Sequence, residues 1–176
     1  MSSADLEVAG VVPPLVRGRA LVLGDHVNAD LLHPPAFFSL DAARVRAGFL
    51  AGLGREAERS EDGARWIIVA GRNFGCGSSR ETTVAALRAA GVVAVVAPSF
   101  GRIFERTASA LGLSCYATDE PLSGFEPDEE LILDRARLAL LAGGGARRIA
   151  LIPPDPFLEQ VSAAGGLLEW LGYRER

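Results

Sequence analysis

Two adjacent hydroxyls and a guanidinium, Ser78, Ser79 and Arg80, stand in the run GRNFGCGSSRETT at residues 71–83, behind Gly71, Gly75 and Gly77. A guanidinium grips a carboxylate through two parallel N–H donors, and glycine-rich backbone leaves N–H groups open to an anion. If a helix begins at Arg80, its unpaired N–H groups add a field that favours negative charge by about 0.3–1 kcal/mol in exposed settings. That field opposes the arginine by a similar amount, which a chain tolerates readily when an anion arrives there. The chemistry this set offers is carboxylate binding. A structural turn whose serines merely cap a helix has the same spacing, and both readings stay open on spacing alone.

Three familiar loops do not fit. The dinucleotide fingerprint needs a third glycine where Arg80 stands, and a long charged side chain cannot replace the glycine that lets helix and strand pack closely. The P-loop needs a lysine before its hydroxyl residue, and the nucleophile elbow needs Gly-x-Ser-x-Gly; neither occurs. The two histidines, His26 and His33, lie far from the serines in sequence, which argues against a Ser-His hydrolase.

The elements that must position these groups can be read around them. The apolar run 66–70 precedes the loop as a strand, a helix follows over about 80–90, and Gly91 closes it. Residues 92–97, Val-Val-Ala-Val-Val-Ala, carry no polar alternation, the pattern of a strand buried on both faces. Together they make a βαβ unit. Ser99 is expected to cap a second helix at 102–111, whose packed face takes Ile103, Phe104, Ala110 and Leu111, with Gly112 ending it. A third strand follows at 113–117. Upstream, 19–23 reads as a strand, 28–35 as loop, 41–50 as a weak helix capped by Asp41, and 52–63 as a mobile surface loop. Downstream, short strands are expected at 131–133, 138–141 and 148–152. Pro154-Asp155-Pro156 then opens a helix at 157–164, and Gly165-Gly166 separates it from 167–171. The fold class is α/β, with a β-rich second part.

The 176 residues suit one domain, 1–176, of an ordinary soluble protein: 49% hydrophobic, net charge −4. Mild acidity argues against nucleic acid as a partner, no apolar run is long enough to span a bilayer, and the polar N-terminus does not read as a signal peptide. Two cysteines, Cys76 and Cys115, are too few for a disulfide framework or a metal cluster. The expected compartment is the cytoplasm. His26 and His33 have no acid or cysteine spacing beside them and read as loop surface, so no metal site is expected on this chain.

Read as one, GRNFGCGSSRE and the following GVVAVVAPSFGRIFERTASALGL closely resemble the small subunits of 3-isopropylmalate dehydratases and the mobile fourth domain of aconitases. GDHVNADLLHP resembles the family's entry loop, and FLEQVSAAGGLLEWL its C-terminal ending, so the likeness runs in order over nearly the whole chain. The resemblance implies a swivelling β/β/α domain, a large-subunit partner holding a [4Fe–4S] cluster, and a small di- or tricarboxylate substrate. It implies isomerisation of a 2-substituted malate, foremost 2-isopropylmalate in leucine biosynthesis, by dehydration and rehydration. By the same resemblance Ser78 is the base, working as an alkoxide. Arg80 clamps a substrate carboxylate, Ser79 and Gly77 contribute to the same group, and Asp30 of the entry loop orients an active-site side chain. A solvated turn carboxylate is the other reading of Asp30.

The pattern departs from the family in four places. Thr82 stands where a histidine is usual, and Ala29 where threonine is. Residues 35–40, Pro-Ala-Phe-Phe-Ser-Leu, replace a run that in relatives carries an arginine. The alanine- and arginine-rich composition marks further drift. Phe37 and Phe38 are then either core or an aromatic wall that favours an apolar substituent over a third carboxylate. Alternatives to 2-isopropylmalate are homoaconitate, citraconate, dimethylmalate or a secondary-metabolism analogue, and a non-catalytic scaffold of the same fold.

Overall fold

The run at 92–97 forms β3 (Val92–Ala97), held between parallel neighbours on both edges and buried along nearly its whole length. The computed structural model describes residues 14–55, 65–78 and 80–173. Within them β1 (Leu15–Val22), β2 (Trp66–Val69), β3 and β4 (Ser114–Ala117) run parallel. On the other edge of β1, β5 (Glu130–Asp134), β6 (Ala139–Ala142) and β7 (Arg147–Ala150) continue antiparallel, giving the order β4-β3-β2-β1-β5-β6-β7. The sheet curls until its ends meet: the Ile152 N–H donates to the Ala117 carbonyl at 2.8 Å, and the Thr118 hydroxyl to the Ala150 carbonyl at 2.7 Å.

Cover on both faces explains why β2 and β3 lack polar positions. Ile67, Val69, Ala94 and Val96 face the inside of the curl with Tyr116, Leu131, Leu133 and Leu140. Ile68 and Val95 face outward, under Val84, Leu87 and Phe104 of the helices. The helices are α1 (Ala29–Leu32), α2 (Ala42–Ala47), α3 (Glu81–Ala89), α4 (Arg102–Ala110), α5 (Pro156–Ala163) and α6 (Leu167–Trp170). Asp41 caps α2, accepting from the Ala43 N–H at 3.0 Å, and Asp155 caps α5, accepting from the Phe157 and Leu158 N–H groups. Gly91 follows α3 at φ 88°, the left-handed turn that ends it.

Several details differ from the sequence reading. Residues 28–35 are not plain loop, because the Asn28 side chain accepts the Leu31 N–H at 2.8 Å and starts the one-turn α1. Ser99 does not cap α4. Its Oγ accepts the Asn73 N–H at 2.9 Å instead, tying two loops together, and Gly101 takes the N-cap position without a side-chain bond. Ile103 is 61% exposed rather than packed, since the buried face of α4 runs through Phe104, Ala108 and Ser109. Of the expected mobile loop 52–63, residues 52 and 53 belong to a short 3-10 turn, Ala51–Leu53, and 56–63 lie outside the described residues.

The loops that leave β1, β2 and β3 are laced together beyond the strand ends. The His26 N–H donates to the Arg72 carbonyl (2.8 Å), Gly75 to Val27 (2.8 Å), Ala29 to Cys76 (3.1 Å), Phe74 to Ser99 (3.0 Å) and Gly101 to Phe74 (2.8 Å). Gly75 lies at the crossing, at φ 70°, and a Cβ there would stand 2.2 Å from Phe104 Cγ. Left-handed backbone costs a side chain about 1–2 kcal/mol and overpacking about 1–3 kcal/mol. Gly75→Ala should therefore lower the unfolding free energy by about 2–5 kcal/mol, read as a fall in urea midpoint with the slope unchanged.

Candidate functional site

Beyond the carboxyl ends of the parallel strands, where open α/β sheets place their ligands, the entry loop 24–33 and the glycine loop 71–80 lie side by side. Asp25 pins the start of the glycine loop. Its Oδ1 accepts the Arg72 N–H at 2.7 Å, and its Oδ2 faces the Arg72 guanidinium at 3.4 Å. The Arg72 N–H, with the guanidinium behind it, holds the Asp25 carboxyl below the usual carboxylate range.

At the far end of the loop Arg80 takes the N-cap position of α3 in extended backbone, φ −119°, with no side-chain cap bond. The Thr83 N–H is bonded to the Arg80 carbonyl at 3.0 Å, and among the described residues no side chain takes the N–H groups of Glu81 and Thr82, which can serve an outside acceptor. The Arg80 Nη1 stands 3.2 Å from Asp30 Oδ1, with both side chains about half exposed. The turn of α1 that Asn28 starts is what sends Asp30 outward while burying Ala29 and Leu32. The Arg80 guanidinium carbon also lies 4.6 Å from the centre of the Phe38 ring, within cation–π range. Gly77 and Ser78 are exposed just ahead of it. Ser79 lies outside the described residues. The structure thus brings Asp30, Phe38 and Arg80 together, with Ser78 two positions before the guanidinium.

Phe37 and Phe38 are half-buried rather than core. They fold over His33, with ring centres 6.4 Å and 5.4 Å from its imidazole. This corrects the expectation that His33 is loop surface: it is fully buried, and among the described residues the polar group that meets its ring is the Val45 backbone. Burial holds its pKa below the usual imidazole range, so the ring is neutral at pH 7. Sequence reasoning missed it as a neighbour of the site. The available signal was DLLHPP, a histidine between a one-turn apolar helix and two prolines, ahead of two phenylalanines. Thr82, in the place of the family histidine, buries its hydroxyl without a partner among the described residues.

The thiols carry no comparable set. Cys76 Sγ lies 3.6 Å from the His26 carbonyl, and Cys115 is enclosed in the core, where burial pushes its thiol far up. Among the described residues no three His, Cys, Asp or Glu side chains converge as metal ligands, and no helix is long and apolar enough to cross a membrane.

A family model for the aconitase C-terminal domain matches residues 53–114. The 3-isopropylmalate dehydratase small subunit of Moorella thermoacetica is 35% identical, over 89% of this chain and 95% of its own length. Small subunit 2 of the same enzyme from Methanopyrus kandleri is 40% identical, over 86% and 90%. The crystal structure of 3-isopropylmalate dehydratase (LeuD) from Methanocaldococcus jannaschii matches with a TM-score of 0.80 at 30% identity, over 90% of this chain and 93% of that one.

Proposed function

The chain belongs to the family of 3-isopropylmalate dehydratase small subunits, within the aconitase hydro-lyases, and on that premise we propose how its own residues serve the reaction. The chain works as a single swivel domain docked on a large subunit, and the complex isomerises 2-isopropylmalate to 3-isopropylmalate for leucine biosynthesis. One observation carries the assignment of roles: a guanidinium at the N-terminus of α3 that already faces a carboxylate of the entry loop.

A [4Fe–4S] cluster needs several thiolates. Cys115 is sealed in the core and Cys76 has no second thiol or imidazole set around it, so the described residues do not fit the cluster. The cluster belongs to the large subunit in this proposal. What remains for this chain is the substrate's acid and its proton. Arg80 holds the carboxylate with the first-turn N–H groups of α3. Ser78 removes the proton from the carbon beside that carboxylate, and the electron pair left behind is stabilised by the group Arg80 holds. A serine hydroxyl is far too weak an acid to ionise unaided, and the same guanidinium and N–H donors lower the cost of its oxyanion. Asp30 keeps the guanidinium in place until substrate arrives.

The half-buried Phe38 beside Arg80, with Phe37 next to it in the chain, favours an apolar branch on the substrate over a third carboxylate. Reconstitution tests the proposal. The full chain alone, free of iron, should not turn over 2-isopropylmalate. With a cluster-loaded large subunit it should, and in preference to homoaconitate. Turnover by the chain alone overturns the division of labour. Inactivity of the assembled pair on every 2-substituted malate in a panel with citraconate and dimethylmalate makes it a non-catalytic scaffold. A preference for another member of the panel changes the substrate and keeps the chemistry.

A further inference from the structure

We infer that His33 is a positioning residue for the Arg80 guanidinium, acting through the ring of Phe38; the inference builds on the carboxylate-clamp role given to Arg80 above. His33 puts a polar ring in an apolar place. Its side chain is wholly buried, and among the described residues the polar group that meets its imidazole is the Val45 backbone. A leucine would fill such a place without burying a polar ring, so packing alone does not account for an imidazole there. Departures of this kind are expected at functional sites, where local stability yields to geometry.

What the imidazole supplies is a flat face. It lies 24° from the plane of Phe38 with ring centres 5.4 Å apart, an offset stack that fixes the tilt of the phenyl ring. Phe38 in turn lies 4.6 Å from the guanidinium carbon of Arg80. Among the described residues the guanidinium is otherwise held by Asp30, through one half-exposed ion pair. Being neutral, the imidazole adds no second positive charge beneath the aromatic seat of Arg80. The surroundings are cut to admit it. A Cβ on Gly48 would come within 2.4 Å of His33 Cδ2 and 2.6 Å of both its Nε2 and Phe37 Cβ. Gly48 has φ −80°, an ordinary value, so its lack of a side chain is a matter of room and not of backbone conformation.

The test has two arms. In the first, proton NMR of the full chain reads the upfield ring-current shift that Phe38 imposes on the Arg80 side-chain protons, with Phe38→Leu as the zero. His33→Leu, close in volume but without a flat face, should lose at least half of that shift, and Gly48→Ala, which displaces the imidazole, should do the same. In the second, the same variants are assembled with the large subunit. KM for 2-isopropylmalate should rise about 3- to 10-fold, the loss expected when a cation–π seat is disordered, with kcat within about twofold. An unchanged Arg80 shift in folded His33→Leu or Gly48→Ala overturns the inference. So does a change in melting temperature with KM unmoved, which would leave His33 as core. If one variant fails to fold, the other decides. If the wild-type pair does not act on 2-isopropylmalate, the proposed function fails, and the NMR arm still decides whether His33 orients the guanidinium.

Discussion

Ser78→Ala in the assembled enzyme is expected to lower kcat by about 10²–10⁴-fold, the range that a positioned general base contributes, while KM changes little. The split follows from where the hydroxyl acts. Removing the base leaves the carboxylate clamp of Arg80 and the α3 N-terminus in place, so the ground state still binds. Ser78 is exposed in the free chain, and no buried contact is lost with its oxygen. Stability should therefore stay within about 0.5 kcal/mol, and assembly with the large subunit should be unaffected. Exchange of the substrate's carbon-bound hydrogen with deuterated solvent isolates the step: it should disappear along with turnover. Undiminished exchange removes Ser78 from the role. Normal exchange per assembled complex, with assembly itself reduced, makes it a docking residue instead.

How much of this was legible in the sequence depends on the range of each interaction. Features set by neighbours along the chain came through. The uninterrupted apolar run became β3 because both its faces and both its edges are covered, and Asp41, Asp155 and Gly91 sit at helix ends for local reasons. Ser99 has the right offset for a cap, yet its hydroxyl is taken by the N–H of Asn73, a partner that only the lacing of two loops supplies. Ile103 looked like a core position, but the face of α4 is chosen by Phe104, which meets Phe74 edge-on at 5.3 Å. The site divides in the same way. The glycine loop and its arginine were visible as a run. The ion pair to Asp30 and the seat on Phe38 were not, because α1 and the 3-10 turn at Pro35–Phe37 must first fold against the glycine loop. His33 was misplaced for that reason: nothing local shows that two phenylalanines will close over it.

Arg80→Lys should raise KM about 10- to 100-fold, and comparison with Asp30→Asn shows why the guanidinium and not merely its charge is required. In the free chain Asp30 already occupies Arg80, so an incoming carboxylate must displace it. The two side chains are about half exposed, and a pair of that kind contributes about 0–1 kcal/mol. A two-pronged, charge-assisted grip on a substrate acid, shielded by the docked partner, is worth about 1.5–3 kcal/mol. The substrate wins the exchange, and Asp30 holds the guanidinium without blocking it. Asp30→Asn should accordingly shift KM by less than about fivefold. Lysine keeps the charge but offers neither parallel donors nor a flat face for Phe38, so it forfeits the larger quantity. The KM values of the two variants, together with the inhibition constant of malate as a non-reacting dicarboxylate, separate these contributions. Equal losses in both variants would mean that Asp30 and Arg80 act as one binding unit. A wild-type malate constant with Arg80→Lys would place the substrate's acid elsewhere in the crevice.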